Sequence, residues 1–552
     1  MISNIRYWFL LSLVFLVYLT GMFATLFEND SAQFSVMAMR MVQENDFLSL
    51  FKGPEEYLDK PHLHYWLAAI AFKIFGLHDW AYRIPALLAT LLGAYSCYGL
   101  GKLLYDRDTG KLAALIFMTS QTIILSVIDV RTDAVLTGFS ILAIWQLAAY
   151  IETKKLKHIA LGAFAAGMAF STKGQIALLV VAFPIICHLY FTRKWKRLFN
   201  WRVLVAVLVF VVSIAPMLYA YYHQFDLHPE QIIRGRGGRS GLFFIFWEQS
   251  FERMSGEGIG KNSSDYFFFF HTYLWVFLPW TVLGLVAYLT RAKQLIRWRF
   301  RYRPGSELLT FGGITLIFIV ISFAQFKLPH YLNILMPLFS VLTASYLNGL
   351  YLDSRSKTIK LMLGIQYFIL GVVFIAVSFV VFFVFKLERP IDYVWMFVLG
   401  SLAIYYCLKR EAYFPRIITV AAFSAIALNA VLNAHFYPAL LKYQAGSEMA
   451  KRIAKEEIPV DKIYKLSERY TWSMDFYNQR PVIISSIGEI KDLKNIWVYL
   501  TNEELNELRK LGFDWDRQFT EEDFRITRLQ AKFLNPSTRK KVLEKMHLIH
   551  IQ

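Results

Sequence analysis

Residues 7–30 read YWFLLSLVFLVYLTGMFATLFEND. The run from Tyr7 to Phe27 carries no charge, and it matches the roughly 20 residues a helix needs to cross a hydrocarbon core of about 30 Å. It lacks a small-residue cleavage site, so it reads as a retained anchor and not as a removable signal. Directly behind it stand Glu28, Asn29 and Asp30, two carboxylates at the depth of the lipid headgroups. A crossing with acids at its end sets the pattern for the rest of the chain.

Apolar runs of similar length recur near 80–104, 111–128, 132–151, 158–172, 174–191, 203–222, 266–290, 308–326, 329–351, 359–385, 390–408 and 416–437. With the first they predict a polytopic α-helical membrane protein of about 13 transmembrane helices. The shorter apolar stretch 63–76 reads as a re-entrant or interfacial helix. Composition agrees, with 56% hydrophobic and only 18% charged residues, against about 25% charged in soluble domains.

The net charge of +18 is explained by its placement. Arg6 precedes the first run, and alternate loops are basic: Lys154, Lys155 and Lys157; Arg193, Lys194, Lys196 and Arg197; Arg291 to Arg303; Arg355, Lys357 and Lys360; Lys409, Arg410 and Arg416. All fall on one side if the N-terminus is cytoplasmic, as the positive-inside rule requires. The charge therefore needs no nucleic-acid partner; membrane lipids suffice. An odd number of crossings puts the C-terminus outside. The three cysteines, Cys97, Cys187 and Cys407, lie in separate apolar runs and form neither a disulfide framework nor a CxxC site.

The outer side then holds two long loops, 28–79 and 223–265, and a tail, 438–552. Residues 1–437 read as one transmembrane unit. The tail, rich in Lys, Glu and Asp, reads as a small extracytoplasmic α/β domain, with strands at Lys462–Leu466, Pro481–Ser486 and Ile496–Leu500 and helices at Asn502–Leu511 and Ser537–Lys545.

Candidate chemistry collects on that side. Asp30 opens a segment whose Phe34, Met37, Ala38, Met41 and Val42 share one helical face, the pattern of a helix lying in the interface with that face in lipid. Asp30 and Gln33 also have capping-box spacing, so the acid reads either as a cap or as a reactive group. Further along comes Tyr57-Leu58-Asp59-Lys60-Pro61-His62-Leu63-His64-Tyr65-Trp66. Lys60 could pair with a phosphate as a point charge, or snorkel; Tyr65 and Trp66 could be belt residues. Asp129, Arg131 and Asp133, then Lys173, then Lys327 and Tyr331 recur at run ends on the same side. Ionisable groups there are costly and often functional. The Gly/Arg stretch 234–241 leads into Phe243–Arg253, which carries Trp247, Glu248 and Arg253; it suits an anionic substrate or forms a solvated linker.

These motifs resemble one family. The acid after the first run, Tyr-x-x-Lys-Pro, Arg-Thr-Asp at 131–133, Ser-Thr-Lys-Gly at 171–174 and Lys-Leu-Pro-x-Tyr at 327–331 stand in the order found in the protein O-mannosyltransferase and aminoarabinose transferase superfamily, of GT-C type. The likeness covers residues 1–350. It implies a glycosyltransferase with a polyprenyl-phosphate-sugar donor, acting at the periplasmic face of a bacterial inner membrane, with inversion at the anomeric carbon. It places the catalytic acid on Asp30 and the carrier phosphate beside Lys60, Arg131, Lys327 and Tyr331. Asp59, Asp133, Lys173, Glu248 and Arg253 are further active-site candidates. The family often has Asp-Glu where this chain has Asp30-Ser31. In the aminoarabinose branch a divalent metal is held by the acid before the lysine and a histidine of the second long loop. The acid matches Asp59, where the branch has Glu; no histidine lies between His228 and His271, which leaves His62, His64 and His271 as substitutes. The acceptor is a lipid A sugar or phosphate, a glycan or a protein hydroxyl. A polyprenyl-sugar or lipid flippase, and a non-catalytic assembly subunit, are the competing readings; a flippase tends to show internal repeats, and none is evident.

Overall fold

The computed structural model describes residues 2–255, 265–303, 305–409 and 411–552, without the side chains of Arg253 and Cys407. Among the described residues, eight helices are long and apolar enough to cross a membrane, and a bent pair brings the number to nine. Helix is forced on such runs because a bilayer offers no partner to an unsatisfied backbone group.

The first ten helices build the site: α1 (Asn4–Met22), α2 (Asp30–Gln43), α3 (Leu63–Phe75), α4 (Asp79–Leu104), α5 (Arg107–Met118), α6 (Gln121–Ile128), α7 (Thr132–Thr153), α8 (Leu156–Lys173), α9 (Gln175–Thr192) and α10 (Trp201–Tyr221). Close approach of small residues binds them. A Cβ on Gly138 of α7 would collide with the Ala89 carbonyl oxygen of α4, and one on Gly101 of α4 would meet Gly110 of α5 at 2.9 Å.

Several expected crossings differ. The run 111–128 is α5 and α6, bent by 53°. The run 266–290 is two helices, Phe268–Val276 and Thr281–Arg297, parted at Leu278-Pro279, because a proline interrupts the helical hydrogen-bond ladder. The stretch expected to lie in the interface is α3, which packs with its neighbours through Tyr65, Ala68, Ala69 and Phe72.

The basic loops gather at one end. Arg6 pairs with Glu411 at 2.7 Å, Lys111 Nζ donates to Asn4 Oδ1 at 2.7 Å, and Arg291 Nη2 donates to the Tyr105 hydroxyl at 2.8 Å.

Beyond the last apolar helix, Tyr413–Leu441, lies a five-stranded mixed sheet with strand order 483–484, 463–465, 496–501, 544–551, 517–523. The first three strands and the helix Asn502–Lys510 fall where the sequence places them. The helix expected over Ser537–Lys545 is confined to Pro536–Arg539, and Glu544–Ile551 is a strand. Its partner, Arg517–Asp523, is an edge strand with one face exposed, so its charged alternation resembles a solvated loop.

The α2 face expected to lie in lipid is buried inside the protein. Phe34, Met37, Ala38 and Met41 form one cluster with Tyr57 and Tyr65 and with Trp472 and Phe476 of the C-terminal region. Phe72 of α3 meets Phe476 with ring centroids 5.8 Å apart. The amphipathic stripe is a packing face whose partner lies more than 400 residues away in the chain.

Candidate active site

Asp30 is the first residue of α2; the cap position is Asn29, whose side chain makes no capping hydrogen bond. The capping-box reading therefore fails. The Asp30 carboxylate is instead held by Arg131, whose Nη1 donates to Oδ2 at 2.9 Å, and the side chain stays 39% exposed. Arg131 precedes α7 in extended backbone. Its Nη2 donates to Asp129 Oδ2 at 3.0 Å, so two carboxylates flank one guanidinium.

The network continues through a residue the sequence did not single out. Arg131 Nη1 also lies 3.2 Å from His330 Nδ1. An arginine offers only donors, so Nδ1 accepts and the imidazole proton sits on Nε2. That nitrogen faces Asp133 Oδ2 at 3.6 Å. His330 occupies the variable position of the Lys-Leu-Pro-x-Tyr motif.

Asp133 lies in the first turn of α7, where the helix dipole favours a carboxylate. Lys173 Nζ donates to its Oδ1 at 2.6 Å, and both side chains are buried. The same ammonium lies 4.4 Å from the centre of the Tyr331 ring. Lys60 is near enough for its charge to act on both Asp133 and His330. Asp30, Lys60, Arg131, Asp133, Lys173 and Tyr331 are thus brought together from α2, the 57–62 loop, α7, α8 and the 329–335 turn. Lys327 is placed by the Asp265 carbonyl, to which its Nζ donates at 2.8 Å, and by the Tyr266 ring, 5.0 Å away.

Gly174 explains why the Ser-Thr-Lys-Gly motif ends in glycine. Its φ of +70° lets the chain break between α8 and α9, and a Cβ there would collide with Gln249 Oε1. Gln249 Nε2 in turn donates to the Asp59 carbonyl at 2.8 Å, which ties the second long loop to the Lys-Pro motif.

The remaining candidates sit in that second loop. Asp59 is ion-paired with Arg234, and Arg234 with Glu252 at 3.1 Å. Arg239 donates to Glu248 at 2.9 Å and also pairs with Glu252. The Arg253 side chain lies outside the described residues.

Two cavities adjoin the cluster. An apolar one of about 120 Å³ is lined by Leu136, Ile176, Leu179, Val320 and Phe326, with Lys173 and Tyr331 at its polar end. A polar one of about 410 Å³ is lined by Glu28 and Asn29 on one side and by Arg469, Tyr470, Asp523 and Arg525 of the C-terminal region on the other.

Comparison with known proteins accords with this geometry. Residues 59–219 match the family model described as dolichyl-phosphate-mannose-protein mannosyltransferase. The undecaprenyl phosphate-alpha-4-amino-4-deoxy-L-arabinose arabinosyl transferase of Edwardsiella ictaluri is 26% identical over 63% of this chain and 60% of its own length. A namesake in Proteus mirabilis is 25% identical over 58% and 55%. The matches therefore span less than two thirds of these relatives. The fold of ArnT from Cupriavidus metallidurans, solved in a crystal bound to undecaprenyl phosphate, superposes with a TM-score of 0.75 over 99% of this chain and 98% of that one, at 15% identity. The chain belongs to the protein O-mannosyltransferase and aminoarabinose transferase superfamily. It is a multi-pass membrane protein of the GT-C fold.

The metal expected in the aminoarabinose branch of this superfamily does not fit the residues present. The Asp59 carboxylate is taken by the Arg234 guanidinium. Among the described residues no three of His, Cys, Asp and Glu are grouped to hold an ion. The substitute histidines are placed elsewhere. His62 Nε2 donates to the Leu48 carbonyl at 3.0 Å, and burial lowers its pKa to about 4. His64 Nε2 lies 3.1 Å from the Tyr82 hydroxyl. His271 lies in Phe268–Val276, 3.7 Å from Asp265.

Proposed function

We propose that this protein is a glycosyltransferase of the bacterial inner membrane that moves a sugar from a polyprenyl-phosphate carrier to an acceptor hydroxyl or phosphate on the periplasmic side. The observation that carries this reading is the convergence of Asp30 with Arg131, Asp133, Lys60 and Lys173 at the mouth of an apolar cavity. The relatives' name supplies a specific donor, undecaprenyl phosphate-alpha-4-amino-4-deoxy-L-arabinose.

In this reading the isoprenoid lies in the apolar cavity, and its phosphate meets Lys60, Arg131, Lys327 and Tyr331. The acceptor enters through the polar cavity beside Glu28 and Asn29. Asp30, held by Arg131, takes the acceptor proton as the oxygen attacks the anomeric carbon. The bond from that carbon to the phosphate oxygen breaks in the same step, with inversion, and the cations stabilise the departing phosphate where water is partly excluded. Lipid A, a glycan and a protein hydroxyl all present a suitable acceptor group.

About 13 crossings divide the chain into a catalytic membrane unit, 1–437, and a periplasmic α/β unit, 438–552. An odd number keeps Asp30 and the C-terminal residues on one side, and the direct contact between Glu28 and Ser473 supports that.

The test is donor consumption by the protein in lipid nanodiscs carrying the undecaprenyl-phosphate sugar and lipid A. Release of undecaprenyl phosphate with a mass gain on lipid A is expected, and Asp30→Asn abolishes both while inserting normally. Movement of intact donor across the bilayer without release identifies a flippase instead. Full activity in Asp30→Asn removes that residue from the chemistry.

A further inference from the structure

Arg83 has no place in the transfer chemistry, yet it is fully buried in the second turn of α4. A buried guanidinium demands partners, and its four hydrogen bonds all go to backbone carbonyls at the ends of two helices. Nη1 donates to Met22 O at 2.9 Å and Ala24 O at 2.5 Å, and Nη2 to Thr25 O at 3.2 Å. Nε donates to Ile128 O at 2.9 Å. Met22 ends α1 and Ile128 ends α6. The last carbonyls of a helix lack intrahelical partners and carry its negative pole, so a cation there satisfies both ends at once.

Both helix ends lead into the cluster. From α1 the chain runs through a short turn into Asp30; from α6 it runs directly into Asp129, Val130 and Arg131. One guanidinium thus fixes the two segments that deliver the two halves of the Asp30–Arg131 pair. From the opposite side the C-terminal region grips the same turn. Tyr477 Oη accepts from Leu26 N at 2.9 Å. Gln444 accepts from Glu28 N at 2.7 Å and donates to Leu26 O at 3.0 Å. Ser473 N donates to Glu28 Oε2 at 3.1 Å.

We propose that Arg83 is a positioning residue that sets the spacing of Asp30 and Arg131, with the C-terminal region closing the same turn from outside. The proposal rests on the transferase reading for its effect on rate, but not for its effect on structure. Lysine cannot substitute, because three donors on one point charge do not span carbonyls that a planar fork reaches from three nitrogens.

The experiment compares wild type, Arg83→Lys, Arg131→Lys and the double variant in nanodiscs. Hydrogen exchange is read at 22–29 and 128–131, and steady-state transfer from the undecaprenyl-phosphate sugar is measured alongside. Arg83→Lys is expected to speed exchange in both segments together and to lower kcat about 100-fold, the cost of a displacement near 1 Å, with donor KM within about twofold. In the Arg131→Lys background it adds little further loss, since both act on one pair. Unchanged exchange in either segment overturns the proposal whether or not wild type consumes donor. A kcat loss that adds fully to that of Arg131→Lys also overturns it. If Arg83→Lys does not accumulate, Tyr477→Phe and Gln444→Ala are read for faster exchange at 22–29 with the same selective loss of kcat; protection and rate equal to wild type overturn the clasp.

Discussion

Lys60 and Asp30 stand at opposite ends of one chain of contacts, so their substitutions should fail differently. Lys60 acts on Asp133 and His330 from the Lys-Pro loop, on the side of Lys173 and the apolar cavity. In Lys60→Ala the donor KM should rise roughly 10-fold or more, as expected for one lost charge-assisted contact, while acceptor KM changes little; equal losses for both substrates would argue against a phosphate contact. The sequence made these residues legible because ionisable side chains at the ends of apolar runs are expensive and few. It could not say which of them touch. His330 escaped because nothing in a lone histidine separates a core residue from a relay. Arg83 escaped because it lies inside a run read only for its hydropathy, although an arginine at that depth is itself a signal.

Among the elements, the turn from α1 to α2 is the most exposed to solution conditions. Glu28 is buried against the C-terminal region, and burial raises its pKa to about 7; Asp475 nearby is raised by burial to about 6. A carboxyl raised in the folded state contributes stability that is complete below its unfolded value, near 4.5 for Glu28, and is lost as pH climbs through the folded value. Thermal stability should therefore decline between about pH 4.5 and 7, and Glu28→Gln should flatten that slope; a variant curve parallel to wild type would exclude Glu28 as the source. The element also shows where pattern reading stops. The stripe on α2 was correctly apolar, but periodicity gives a face and not its partner. Lipid and a distant helix make the same demand on Phe34 and Met41. In the tail, Ile496–Thr501 was legible because both its faces are buried. Arg517–Asp523 was not, because an edge strand with one wet face carries the charges of a loop.

For the molecule as a whole, the second long loop is closed on the first by an arginine in place of a shared metal. Arg234 joins Asp59 to Glu252, and Gln249 holds the Asp59 carbonyl. Transfer by this protein should accordingly persist in excess chelator, within about twofold. A loss restored by one divalent ion would place that ion at Asp59 after all. The overall plan was legible from hydropathy and loop charge, since a bilayer restricts a chain to few solutions. The number of full crossings was not, because a window counts apolar residues without seeing Pro279 part a run. The apolar cavity among α7, α9 and Leu309–Phe323 is bordered by Leu179, itself 38% exposed, so its mouth faces the acyl chains as well as the headgroups. A substrate that arrives sideways never passes through water. Its capture is then a two-dimensional encounter, governed by the mole fraction of carrier among the surrounding lipids, and dilution of the aqueous phase leaves it untouched.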